Sequence, residues 1–417
     1  MSDDRETAPT RLLTLDAMRG FAVMGILAMN IVAFAMPEMA YVSPKAYGGE
    51  TSSDIAAWAI GFLLFDGKMR GLFSILFGAS MLLIIDRAES GGQDPSTVHY
   101  RRMAWLAVFG LCHYFFIWWG DILFLYAAVG CIAFGFRHWD ARRLIKWAIG
   151  LFTLGTVLTS LFFGAQLAVA SAADNPVSPM AEAGRDVRDE YAKIDGEVTE
   201  ELALYRGPYL PILNSRLDTA INPFIGVLMT IWETLPLMML GMALFRNGFL
   251  TGAWTAADYR RTARRWLLPG VLLTLPVGWL QWRSGFDYIV GVNAFMGWAG
   301  PGRLMMTIAY AALLILLIQR LGASVGIARV AATGRAAFSN YLGTSIVMTT
   351  IFYGYGLGFF GDVGRWTLYL WSIAMWALML LWSKPWLDRY RYGPLEWLWR
   401  SLARGQFQPM RKNSLGQ

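Results

Sequence analysis

Apolar residues in this chain come in blocks of about 17 to 25, too long to be the alternation of a half-buried strand. Blocks of that length cross a hydrocarbon core of about 30 Å as helices. About ten are predicted, at residues 12–35, 67–86, 103–119, 121–136, 145–171, 218–244, 266–283, 302–320, 338–360 and 366–386. An outer-membrane barrel would show short alternating segments instead. The stretch from Asp54 to Phe65 is apolar but too short to span, so it is expected in the interface or as a tilted extension of the second span. Residues 172–217 make up the long polar segment, expected as an extracytoplasmic loop or helical cap. Residues 387–417 are expected as a cytoplasmic interfacial tail.

Composition and charge orient this picture. Hydrophobic residues are 56% of the 417, charged residues only 16%, and the formal net charge is +7. That excess is no nucleic-acid footprint, because it sits in short segments between apolar blocks: Arg101–Arg102, RHWDARR at 137–143, YRRTARR at 259–265 and DRYRYG at 388–393. Placing them inside by the positive-inside rule gives a consistent topology with both termini cytoplasmic. The expected fold is all-α, a polytopic transmembrane helical bundle with residues 1–417 as a single integral membrane domain. AFA at 33–35 imitates a signal-peptidase site. The run before it is too long for a signal core and is interrupted by Asp16 and Arg19, so an uncleaved first span is expected. Cys112 and Cys131 both lie in apolar blocks, which argues against a structural disulfide. LFGASMLLIIDR (76–87) and LMMLGMALFRNG (237–248) end alike, a faint sign of a parallel repeat.

Ionisable and strongly polar residues inside spans are costly, so each is a functional candidate. Asp16 and Arg19 are one helical turn apart and can pair, and Arg19 shares a face with Asn30, eleven residues on. The bland alternative is a packing helix whose amide bonds a neighbour and whose Arg anchors at the interface. Arg102 and His113 are also eleven apart and face the same way. His113 is either a structural hydrogen-bonder between helices or a general base reached through a polar cavity. Asp121 lies about 12 Å further along a continuous helix, so it can reach His113 only if the chain breaks near Gly120.

A second group collects at the cytoplasmic ends. ATGRAAFSNYL at 332–342 places Arg335, Ser339 and Asn340 at the start of a span. RYGPLEWLWRSLARG at 391–405 follows the last span, with Glu396 and Arg400 at i and i+4. These residues fit an interfacial helix anchored by Trp and Arg, or a basic, aromatic mouth for an anionic cofactor. No HExxH, CxxC, GxxxxGK[ST], GxSxG or His-rich ligand cluster occurs, so metal hydrolysis and nucleotide hydrolysis have no motif behind them.

LDAMRGFAVMGILAMNI, LFSILFGASM, GLCHYFFIWWGDILFLYAAVG, GRAAFSNYL and GPLEWLWR together resemble the YeiB-like family of bacterial inner-membrane proteins, over nearly the whole chain. The first span in turn resembles the transmembrane acyltransferase superfamily, which includes heparan-α-glucosaminide N-acetyltransferase. The resemblance implies a multi-pass protein of the bacterial cytoplasmic (inner) membrane that takes an acyl group from cytosolic acyl-CoA, acetyl-CoA above all, and passes it to an extracytoplasmic or membrane-embedded hydroxyl or amine. Asp16, Arg19 and Gly20 match the superfamily's DxxRG start, and Asn30 its outer amide. The superfamily's catalytic histidine lies in the loop after that helix, and here residues 31–50 contain none. Either His113 supplies the base, with Asp121 orienting it and Asn30 donating to the oxyanion, or this reaction is not performed. Asp16, Arg19, Arg102, Arg335, Asn340 and Arg400 are the residues expected to hold the CoA phosphates or shape their site. No metal is expected. Partners are membrane lipid and a small-molecule or glycan acceptor, with a homodimer left open. The rival readings are a small-molecule transporter or exporter, and a structural membrane protein.

Overall fold

The computed structural model describes residues 4–322 and 324–412. These form α1 (Asp4–Ala35), α2 (Met39–Val42), α3 (Ser52–Ile60), α4 (Lys68–Ser90), α5 (Pro95–Phe116), α6 (Leu123–Ala133), α7 (Ala141–Ala172), α8 (Ala181–Ala192), α9 (Ile194–Tyr205) and α10 (Tyr209–Asp218). The second half adds α11 (Asn222–Arg246), α12 (Ala256–Arg283), α13 (Tyr288–Asn293), α14 (Gly300–Leu321), α15 (Val325–Arg335), α16 (Ala337–Phe352), α17 (Arg365–Arg389) and α18 (Pro394–Arg404). Among the described residues there is no strand beyond an isolated bridge between Tyr390 and Arg411. The protein is an all-α membrane bundle.

Each predicted span overlies a helix, but fewer meet a strict length-and-hydropathy measure. Among the described residues, six segments are long and apolar enough to cross a membrane: 13–35, 52–90, 141–172, 222–246, 300–321 and 365–389. The other predicted spans fall short for physical reasons. Helices α5 and α12 carry their basic segments inside their amino-terminal halves, α6 has 11 residues, and the chain breaks between α15 and α16. The segment from Ser52 extends α4 through a π-turn at 61–65 and a break at Gly67, whose φ of 68° suits glycine alone. Polar caps start three of the long helices. Asp94 accepts from Ser96 and Thr97 N–H ahead of Pro95, Asp140 from Arg143 N–H, and Thr255 from Asp258 N–H.

Helix α1 is the axis, packed by α4, α14, α15, α16 and α17. Two crossings bring backbones into direct contact. A Cβ on Gly20 would stand 2.1 Å from Val330 O, and one on Gly334 1.8 Å from Asp16 O, so α1 and α15 meet where neither can carry a side chain. The same reciprocity joins α4 and α11: Gly78 lies against Met238 O and Gly241 against Ile75 O. Small residues at such crossings let dispersion hold helices together where water supplies no hydrophobic drive. The two segments that hinted at a repeat are thus packing partners. Outward, α7, α12 and α17 present apolar faces, including Leu161, Phe162, Leu268, Leu272, Leu370 and Leu381. A belt of this kind suits lipid.

Residues 172–217 fold into α8–α10, a helical cap. Arg206 Nε donates to Phe360 O at 2.8 Å, Gly354 N–H to Tyr205 O at 2.8 Å, and Tyr209 Oη to Phe116 O at 2.8 Å. At the opposite end, Arg246 donates to the carbonyls of Arg137 and Trp139, and Arg335 to Arg391 O. The basic loops therefore gather away from the cap.

Candidate functional site

The tail is part of the bundle. Glu396 on α18 is buried and reaches into the first turn of α16, forming no ion pair with Arg400. Its carboxylate accepts from Phe338 N–H at 2.6 Å, Ser339 N–H at 3.1 Å and Ser339 Oγ at 2.6 Å, while Ser339 Oγ accepts from Leu395 N–H at 3.0 Å. Burial pushes this carboxyl's pKa up, against the pull of those hydrogen bonds. One helix thereby caps another, placing negative charge where unpaired N–H groups and the helix dipole favour it. Trp399 Nε1 donates to Arg102 O at 3.0 Å, and the Arg102 guanidinium lies 4.1 Å from the Trp399 ring centroid.

This docking closes a cavity of about 200 Å³ at the basic end. Arg19, Arg102, Arg335 and Arg400 all line it, with Ser80, Tyr126, Phe338 and Tyr341. Four of the expected anion-binding residues, drawn from four helices, thus meet in one place. Among the described residues only Arg19 has an ion-pair partner: Asp16 at 2.8 Å, with Ser80 Oγ accepting at 2.8 Å. Burial, with Arg404 nearby, holds the Arg400 guanidinium below its ordinary range. Glu396 also lines the cavity, so one carboxylate faces four guanidinium groups there, and Arg102, Arg335 and Arg400 form no ion pair among the described residues. Asp16 acts by holding Arg19 rather than by lining the cavity. Asn340 is fully occupied elsewhere: its amide donates to Thr333 O and Ser383 Oγ and accepts from Trp382 Nε1, tying α15, α16 and α17 together. It does not line this cavity.

A second cavity, of about 600 Å³, opens under the cap. Its walls include Asn30, Glu38, Tyr41, Asp66, Arg70, Trp118, Trp119, Asp121, Glu201 and Arg216. The Asn30 side chain makes no hydrogen bond to the described residues and is half-buried at this wall. Asp66 pairs with Arg303 and accepts from Tyr41 Oη at 3.3 Å, and Arg70 pairs with Glu233 at 2.6 Å. Glu201 accepts from Glu38 N–H at 2.9 Å. Burial first, then the Glu38 and Glu197 carboxylates, push Glu201 up to about 7. Glu38 is open to the cavity yet enclosed by the helices around it, and its pKa is raised as well.

His113 lines neither cavity, whereas Asp121 lines the one under the cap. Ile122 lines both. Helix α5 ends at Phe116, and residues 117–122 turn back, which brings His113 and Asp121 together. His113 Nδ1 lies 2.8 Å from Asp121 Oδ1, and Asp121 Oδ2 accepts from Phe124 N–H at 2.7 Å. Tyr341 braces the turn, donating to Gly120 O and accepting from Ile122 N–H, each at 3.3 Å, with its ring 5.2 Å from His113. His113 is 1% exposed, and its Nε2 has no partner among the described residues. In the tautomer whose Nδ1–H donates to Asp121, Nε2 is a bare lone pair. The pair therefore has an oriented imidazole with one nitrogen in reserve.

Sequence reading missed Asp66 and Arg70. The rule that flagged Asp16 and Arg19 would have found them, since LFDGKMRGLF sets three ionisable residues in an apolar run. Arg216, in the cap, carried no such signal.

The carboxy-terminal part, residues 244–406, matches the family model described as Protein of unknown function (DUF418). The chain is 32% identical to the uncharacterized protein YeiB of Escherichia coli (strain K12) over 399 residues, 94% of this chain and 96% of that one. It is 30% identical to the uncharacterized protein YxaH of Bacillus subtilis (strain 168), over 97% of each. An uncharacterized 39.9 kDa protein in the amylase 3' region of Bacillus acidopullulyticus is 25% identical over 94% of each. No solved structure matches the chain. With identity at this level from end to end, the chain belongs to the YeiB-like family.

Proposed function

We propose that this protein is a transmembrane acyltransferase of the bacterial inner membrane, passing an acyl group from cytosolic acyl-CoA to a hydroxyl or amine in the cap-side cavity. The observation that carries the reading is the opposition of the two cavities. One gathers four arginines, the other is walled by Asp121 and Asn30, and Ile122 borders both. Taking the basic end as cytoplasmic follows the positive-inside rule. The arginine cavity is smaller than CoA, so it suits the acylated pantetheine arm, with Arg335 and Arg400 holding phosphates at its mouth.

In this mechanism His113 Nε2 takes the proton of the acceptor O–H or N–H as that atom bonds to the acyl carbon. Asp121 holds the imidazole and stabilises the imidazolium that forms. The Asn30 amide donates to the oxyanion. Collapse breaks the C–S bond, and the proton on His113 passes to the departing CoA sulfur.

The test is transfer of label from radioactive acetyl-CoA in membranes carrying the protein. Wild type should move label into an acceptor and release CoA in equal amount, and His113→Ala should lose this while still inserting normally. Equal transfer by both would place the chemistry elsewhere. The shared wall at Ile122 also suits an exporter working by alternating access. That second reading predicts substrate movement with no thioester consumed.

A further inference from the structure

We infer that Arg216 is the anchor for an anionic group on the molecule that occupies the cap-side cavity. The inference deepens the reading above, because it assigns a chemical class to the acceptor. Arg216 is on α10 in the cap, lines the cavity and is 4% exposed. Its Nη1 donates to Phe115 O at 3.3 Å. Its Nε and Nη2 have no hydrogen-bond partner among the described residues, and neither has the buried hydroxyl of Tyr353. Nε–H and Nη2–H are the parallel pair on one edge of a guanidinium, the edge that grips a carboxylate, phosphate or sulfate with two hydrogen bonds.

A guanidinium cannot shed its charge by losing a proton, so burial without a counter-ion is costly. Most carboxylates around the cavity are committed elsewhere; Glu38 is the exception, and it makes no ion pair with Arg216. Asp121 serves His113 and Phe124 N–H, Asp66 serves Arg303 and Tyr41, Glu233 serves Arg70, and Glu201 accepts from Glu38 N–H. Arg216 forms no ion pair with any described residue. Tyr205 reaches the Arg216 guanidinium as a side-chain hydrogen-bond partner, and its ring centroid lies 4.6 Å from that of Tyr353. The cavity thus offers a buried cationic fork beside the Tyr205 phenol. Trp118, Trp119, Asn30, Ser215 and Thr219 complete walls that suit a hydroxyl-bearing body. At about 600 Å³ it has room for a ligand of hexose-phosphate size. The ligand class is an acid carried on a polyhydroxylated molecule, free or as a lipid headgroup.

The test is a tryptophan-fluorescence titration of the full chain in neutral detergent, using glucose 6-phosphate with glucose as the uncharged control. Wild type should respond saturably to the phosphate and not to glucose. Arg216→Gln should weaken binding at least about tenfold, and Arg216→Lys, which keeps the charge without the fork, should fall between. If the Gln variant does not fold, the Lys variant carries the comparison. Competing phosphatidylglycerol sorts the source: displacement of the sugar phosphate assigns the site to headgroups, and none assigns it to soluble acids. Equal responses to glucose and its phosphate, no response to the phosphate, or unchanged binding in both variants would overturn the inference. Acetyl-CoA binding to the same samples separates the two proposals. Intact acetyl-CoA binding without anion discrimination sinks only the anion site, and the reverse pattern sinks only the transferase.

Discussion

Replacing Glu396 tests how the tail is held, and the loss can be worked from the contacts. The side chain accepts two backbone N–H groups at the start of α16 and the Ser339 hydroxyl. Glu396→Ala leaves both N–H groups buried and unpaired, at about 1–3 kcal/mol each, so the folded state loses about 2–6 kcal/mol. Glu396→Gln keeps an acceptor at Oε1 and loses mainly the charge assistance, about 1–2 kcal/mol. The order of thermal unfolding in detergent should be wild type, then Gln, then Ala. The Ala variant should also expose residues 390–412 to protease, because Trp399 and Arg102 separate when α18 lifts. An Ala variant that melts with wild type and resists protease would refute the claim that this carboxylate locks the tail.

Other consequences can be checked with single substitutions. Gly334→Ala puts a Cβ 1.8 Å from Asp16 O and should abolish recovery of monodisperse protein, whereas Gly343→Ala, in open space, should be neutral or slightly stabilising. Asp121→Asn should reduce acyl transfer about 10²–10⁴-fold with little change in melting temperature; turnover like wild type would remove the His–Asp pair from the mechanism. Glu201 has its pKa raised to about 7 from an ordinary 4.5, so between those values the folded state holds the extra proton. Its contribution to stability is full below the unfolded pKa and is lost as pH rises through about 7. Wild type should therefore melt higher at pH 5.5 than at pH 8. Glu201→Gln should shrink that difference, and an unaltered slope would locate the titration elsewhere.

Much of the architecture was legible because membrane helices write themselves as apolar blocks. Arg19, Arg102, Arg335 and Arg400 were each legible as residues at the cytoplasmic end of a helix, and the fold brings all four to one cavity. What escaped was pairwise and non-local. Glu396 and Arg400 have the spacing of a helical ion pair, yet Glu396 serves α16, because unpaired backbone N–H groups compete for the carboxylate. Asn340 sits in a motif of polar residues and reads as a ligand-binding amide, but three helices use up its hydrogen bonds. The approach of His113 to Asp121 depended on where α5 stops. A helix boundary is the feature that periodicity fixes least well. Arg216 lies in a polar segment where arginines are ordinary, and only the fold turns it inward.

The most direct test of the central claim is calorimetric titration of acetyl-CoA into the purified protein, alongside Arg400→Gln and Arg102→Gln. The account predicts saturable binding at one site in wild type, weakened at least about tenfold in each variant, with binding unchanged in His113→Ala. No binding of acetyl-CoA to wild type, or equal binding in both arginine variants, would contradict it.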